Sequence, residues 1–181
     1  MNLRKEQLWK LGIIFLFISF YLYLSSEFIL ACSRVEPVSV ESMCVGADVI
    51  VRAIALDYRQ KPSEDTINIW APDAVIRFKI LEVLKGKNVP RDIFLNGFLD
   101  EKDDYNDQSL PYNFVRPGGR GGNCFAFTYK RQGQFLLFLS KDGEGFTLYM
   151  DPLAPVNEQL HSANDPWVLW IKDLLKKLEK Q

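Results

Sequence analysis

A basic head of Arg4, Lys5 and Lys10 runs into an apolar stretch, Leu11 to Leu24, broken only by Gly12 and Ser19 and closed by Ser25, Ser26 and Glu27. No other feature constrains the fold as much, because it decides how much chain is left to build a domain. A basic n-region, an apolar h-region and a small residue, Ala31, ahead of a cysteine match a secretory signal peptide over residues 1–31. Two other readings stay open. The stretch is a little short of the about 20 residues that span a bilayer, yet a retained anchor is compatible with it. "FILAC" also resembles a bacterial lipobox, in which Cys32 would be acylated. The expectation is a secreted, extracellular protein, with a periplasmic or membrane-anchored one as the alternative. Membrane contact is expected only if the leader is retained or Cys32 carries a lipid.

The 150 residues numbered 32–181 suffice for one domain with its own core. Removing the leader takes three basic and two acidic residues from the chain's 22 and 23, which leaves a formal charge of −2. So even a balance offers no basic patch for nucleic acid, and none is expected as a partner. All three cysteines, Cys32, Cys44 and Cys124, follow the leader, in what would be an oxidising compartment. They allow one bridge; the odd one is either a buried thiol or a link between chains.

Hydrophobic period then sets the elements. Val38 to Gly46 fits a helical turn or two. "ADVIVRAIAL", Ala47 to Leu56, is apolar and largely β-branched and predicts a strand. The polar, proline-bearing "DYRQKPSEDTINIWAPD" predicts a loop. Ala74 to Gly86 predicts a long strand, and "RDIFLNGFL" a third with a bulge at Gly97. Asp100 to Gly122, rich in Asp, Asn, Pro and Gly, predicts a long loop of a kind that is often functional. From Cys124 to Met150 the pattern returns to strands, with a fully buried run from Phe135 to Leu139 and a tight turn at Lys141–Gly145. The tail changes period. Trp167, Trp170, Ile171, Leu174, Leu175 and Leu178 recur at steps of three and four behind Asp165 as N-cap and Pro166 at the first helical position. That predicts an amphipathic helix over 165–180, packed on the strands. Five or six strands and one terminal helix predict a mainly β domain, a small closed or partly open barrel, over 32–181.

A catalytic centre is hard to assemble from these residues. His161 is the only histidine and reads as a surface or capping residue. No run of His and Cys has the spacing of a zinc site, and no nucleophile–base pair stands out. "PGGRGG", Pro117 to Gly122, lacks the Lys-Ser/Thr of a phosphate loop; its glycines more simply let the backbone turn or approach something closely. Asp100, Glu101, Asp103, Asp104 and Asp107 do not have EF-hand spacing and read as a solvated loop. The chain is expected to be no enzyme and to carry no cofactor of its own.

The stretch "CSRVEPVSVESMCVGADVIVRA", from Cys32 to Ala53, resembles the start of the tissue inhibitors of metalloproteinases. In that family a mature N-terminal cysteine is followed by Thr or Ser, and a second cysteine precedes an "ADVVIRA"-like strand at this spacing. "IRFKILEVLKG" is similar to the family's next strand. "NCFAFTYKRQGQFLLFLSKDGEGFTLYMDPLAPVNEQL" is similar to its Cys-led strands and the segment after them. The resemblance implies a netrin-like domain on an OB-fold barrel, and a matrix-metalloproteinase-like zinc endopeptidase as partner.

It also implies a mechanism. The α-amino nitrogen and carbonyl oxygen of Cys32 would chelate the zinc of the protease, whose catalytic metal keeps one position open for water. An α-amino group with a pKa of about 8 gives up its proton at little cost near neutral pH. Ser33 would enter the S1′ pocket, and Arg34 and Val35 would continue the contact ridge. Gly121, Gly122, Asn123 and Cys124 would form its second edge, with a Cys32–Cys124 disulfide holding the terminus rigid. Such a bridge is worth roughly 4–5 kcal/mol in the chain-entropy model. The sequence departs from the family in three places. Arg34 stands where the family has a further cysteine, whose partner position falls near Met150; Cys44 has no family-type partner; and the Trp-rich helix replaces a cysteine-rich second domain. The alternative expectation is a netrin-like binding or scaffold module without inhibitory activity.

Overall fold

A computed structural model of the chain describes residues 39–63, 72–121 and 124–180. The chain divides into Met1–Ala31 and Cys32–Gln181, and every described residue belongs to the second unit. The expected signal peptide, and Cys32, Ser33, Arg34, Val35, Gly122 and Asn123, lie outside the described residues.

The longest strand, β1 (Val49–Gln60), is the spine. Its whole length pairs antiparallel with β2 (Val75–Lys85), from Ile50 opposite Lys85 to Gln60 opposite Val75. Its other edge pairs with β6 (Gln134–Asp142), from Val49 opposite Leu139 to Ile54 opposite Gln134. Asp57–Gln60 therefore continue a strand where their polarity had predicted a loop. The partner strand overrides the local signal: Asp57 and Arg77 face each other, and the guanidinium forks onto the carboxylate at 3.0 and 2.9 Å.

β3 (Asp92–Asn96) covers the outer edge of β2. β7 (Gly145–Leu148) and β8 (Asn157–Leu160) take successive halves of the outer edge of β6. The expected turn between β6 and β7 is present, with Gly143 in the left-handed region (φ 56°). Gly97 ends β3 where a bulge was predicted. A Cβ there would stand 2.6 Å from both the Phe127 carbonyl oxygen and the Tyr129 ring, so only glycine lets the chain pass. It then forms β4 (Phe98–Asp100), which runs parallel to β5 (Thr128–Lys130) in a separate two-stranded sheet.

The main sheet has the order β3-β2-β1-β6-β7, with β8 also on β6. Its end strands β3 and β7 come together without a ladder between them, so the sheet curls around an interior and is not closed into a barrel. Val49, Val51, Ala53 and Ala55 of β1 point inward with Ile76, Phe78, Ile93, Leu95, Tyr129, Phe135, Leu137 and Leu139. Phe78, Tyr129 and Phe135 meet edge to face, with ring centroids 5.0–6.3 Å apart.

The opposite face is also apolar. Ile50, Leu136 and Phe138 meet Val40, Met43 and Cys44 of helix α1 (Val40–Gly46) and Trp167, Val168, Ile171 and Leu174 of helix α2 (Pro166–Leu178). Both faces of β6 are thus covered, which is why Phe135 to Leu139 is an unbroken apolar run rather than an alternating one. Helix α2 begins as predicted: the Asp165 side chain accepts the Trp167 N–H, and Pro166 follows. At the end of α1, Lys85 Nζ donates to the carbonyls of Cys44, Val45 and Ala47 at 2.6–2.9 Å, satisfying acceptors that the last helical turn leaves open. Among the described residues no helix is long and apolar enough to cross a membrane.

Candidate functional site

The residues expected to form the second edge of a binding ridge end a long excursion from Asp100 to Gly121. Beyond Asp100 at the end of β4 and a single β-bridge from Tyr105 to Gln159, its one regular element is a 3-10 turn at Pro117–Gly119. The excursion is folded onto β8, whose four residues Asn157, Glu158, Gln159 and Leu160 are all buried. A strand this polar is buried because the loop supplies its partners. Gln159 Oε1 accepts the Asp104 N–H at 2.8 Å, and its Nε2 donates to Asp103 at 2.6 Å. Glu158 accepts the Asn106 side-chain amide at 2.8 Å on one oxygen and the Arg116 backbone N–H at 3.1 Å on the other.

Arg116 is the hub. It is fully buried, and its guanidinium donates to the carbonyls of Asn157 (3.0 Å), Ala126 (3.0 Å) and Thr128 (2.7 Å) and to the Asp104 carboxylate. Its carbon sits 5.4 Å from the Tyr129 ring centre and 5.5 Å from that of Phe135, so the side chain plugs one end of the curled sheet. Beneath it Asn157 Nδ2 donates to the Ala126 carbonyl and the Tyr129 hydroxyl. Burial pushes the Tyr129 phenol up. It also lifts the Glu158 carboxyl to about 7, against the opposing pull of the Arg116 charge and the hydrogen bond from Asn106.

Arg120 makes a second brace. It holds Asp107 through both terminal nitrogens, at 3.0 and 2.6 Å, and donates from Nε to the Val115 carbonyl at 2.7 Å. The Arg120 hydrogen bond holds the Asp107 carboxyl below the usual carboxylate range. The glycines of "PGGRGG" act here through close approach. The Gly118 N–H reaches both oxygens of Asp104, at 3.0 and 3.1 Å, and a Cβ on Gly119 would stand 2.7 Å from Val115 and 2.9 Å from the Ala126 nitrogen. The acidic cluster read as solvated is in fact largely paired: Asp104 with Arg116, Asp107 with Arg120, Glu101 with Arg131 and Asp103 with Lys130. Asp100 has no basic partner among these and instead accepts the backbone N–H groups of Glu101 and Lys102. Among the described residues no three His, Cys, Asp or Glu side chains cluster as a metal would need.

Of the expected site residues, the structure describes Gly121 and Cys124. Gly121 is exposed and faces open space. Cys124 is half-buried and disulfide-bonded, and its backbone is left-handed, with φ 62°. Its carbonyl accepts the Leu153 N–H at 2.7 Å, while the Leu153 carbonyl accepts the Val115 N–H at 2.7 Å. Leu153 is itself left-handed (φ 63°) and packs with Val115, Ala126 and Phe114. Two non-glycine residues in this region, about 1–2 kcal/mol each, are held by the braces around them.

Cys44 is a free thiol, 1% exposed in the core beside α2, and burial raises it to about 12. Of the two roles open to it, the buried one is seen. Met150 is exposed at the surface, and the exposed His161 stacks on Tyr105 at 3.8 Å beside the cap of α2. Sequence reasoning passes over Arg116, Asn157 and Glu158, and reads Asp104 and Asp107 only as a solvated loop and Arg120 only as part of a glycine turn. The available signal was the pairing of two arginines with a run of acids across one loop. The chain matches no family model and no characterised protein in sequence.

Proposed function

We propose that the protein is a secreted inhibitor of zinc endopeptidases, a netrin-like domain of the OB type. Its mature N-terminal residue Cys32 would chelate the zinc of the protease through its α-amino nitrogen and carbonyl oxygen. Ser33 would enter the S1′ pocket, Arg34 and Val35 would extend the ridge, and Gly121, Gly122, Asn123 and Cys124 would form its other edge. The observation that carries this reading is Cys124: a half-cystine in a strained backbone conformation, at the end of a loop braced by Arg116 and Arg120. A bridge from such a point to Cys32 would hold a flexible terminus still before it meets a protease, which lowers the ordering cost of binding. A mainly β, curled antiparallel sheet with a C-terminal helix is compatible with the netrin-like architecture.

The test begins with full-length protein expressed through a secretory pathway and the N-terminal sequence and intact mass of the product. A free amine on Cys32 and one bridge to Cys124 are expected. The product is then assayed against several matrix metalloproteinases beside a form with one alanine added ahead of Cys32. The extension removes the chelating amine from its place and leaves the fold alone, so inhibition should fall at least a hundredfold. Equal inhibition by both forms would overturn the mechanism. A retained leader or an acylated Cys32 would turn the reading to a membrane-tethered netrin-like module without inhibitory activity.

A further inference from the structure

Glu158 is a fully buried carboxyl whose nearest cation is already engaged. The Arg116 guanidinium gives its side-chain charge to Asp104 and its other donors to carbonyls, while Glu158 receives only a backbone N–H and a neutral amide. With Asp104 ionised, the cluster is neutral when Glu158 is protonated and carries one unbalanced negative charge when it is not. The other groups around it do not help. The paired position on β6 is Leu136, and Tyr112 in the loop is a phenol pushed up by burial and by the charges of Asp165, at the start of α2, and Glu158. Tyr129 on β5 is neutral and bound to Asn157.

Both hydrogen bonds to the Glu158 carboxyl come from the Asp100–Gly121 loop, so lifting that loop is the least disruptive way to bring water to the anion. We propose that Glu158 makes docking of this loop onto β8 pH-dependent: the loop is held when the carboxyl is protonated and opens more often once it ionises. The direction follows from linkage. The docked state binds the proton with a pKa of about 7, and the opened state at an ordinary carboxyl value near 4.5. Docking is therefore strongest below the lower value, weakens as pH rises through about 7 and is level above it. The inference does not rest on the inhibitory reading.

Native-state hydrogen exchange of the full chain between pH 5 and 8, corrected for intrinsic exchange, tests it. The Arg116 and Gly118 amides should lose protection by on the order of a hundredfold across this range, while the Val51 and Leu137 amides in the main sheet lose far less. Glu158→Gln should remove the pH dependence. Should that variant not fold, Asp104→Asn decides, since it leaves the guanidinium charge to Glu158 and should flatten the profile as well. Loop protection that does not change with pH would overturn the proposal. So would a dependence shared equally by the sheet, or one that persists in whichever variant folds.

Discussion

Arg116 shows how much depends on where a charge sits. Arg77 and Asp57 make a well-formed fork, but both are exposed, and water screens the pair. Arg116 has no exposed surface, and four acceptors depend on it. Arg116→Gln would remove the cation paired with Asp104 and leave carbonyls on β5 and β8 without their donor. A loss of about 3–5 kcal/mol is expected, read as a lower urea midpoint at unchanged slope. Urea midpoints within error of each other would mean the hub is decorative. At this scale the chemistry was poorly legible in the sequence. "NFVRPGGRGGNC" displays two arginines, but nothing local tells which is sunk into the sheet and which lies across Phe114 at the rim.

Elements divide by how local their causes are. Helix α2 is specified within a few residues: a capping aspartate, a proline, apolar steps of three and four, and lysines in the last turn. Asp165 also accepts the His161 N–H, so two backbone donors rest on one buried carboxylate. Asp165→Ala should cost about 2 kcal/mol, measurable as a drop in Tm with the helical signal retained at low temperature; an unchanged Tm would show that packing alone sets the start of α2. β8 is the opposite case. "NEQL" has no strand pattern, and its residues are buried only because β6 pairs with one edge and the Asp100–Gly121 loop covers it. The end of β1, Asp57–Gln60, is likewise a strand because β2 pairs with it, against its local polarity.

On the scale of the molecule, one sheet has two apolar faces, and β6 lies between both cores. Trp167 is the bulkiest fully buried side chain among the described residues and belongs to the outer core, stacked on its helix neighbour Trp170 at 5.6 Å and tilted against Tyr112 at 4.9 Å. Trp167→Ala should cost about 3–5 kcal/mol, and it should lower helix and sheet stability together, because the outer core joins them. Far-UV circular dichroism followed alongside amide protection in β6 checks this. A helix that melts first while β6 stays protected would mean that the two faces are independent.

The sequence by itself determined the mainly β character, the long first two strands, the doubly buried run of β6, the hairpin turn after it and the terminal helix with its cap. Each is written in a period or a capping residue that acts over a few positions. Only the tertiary structure decided that the sheet curls without closing, that Gly97 divides two strands, that β8 exists, and that a loop of acids and glycines is folded onto β8. Those outcomes depend on partners from twelve to more than fifty residues away: Asp104 on Arg116, Gly97 under Phe127 and Tyr129, Asn106 on Glu158. A buried polar group is stable only when such a partner arrives, and no local pattern of residues encodes its arrival.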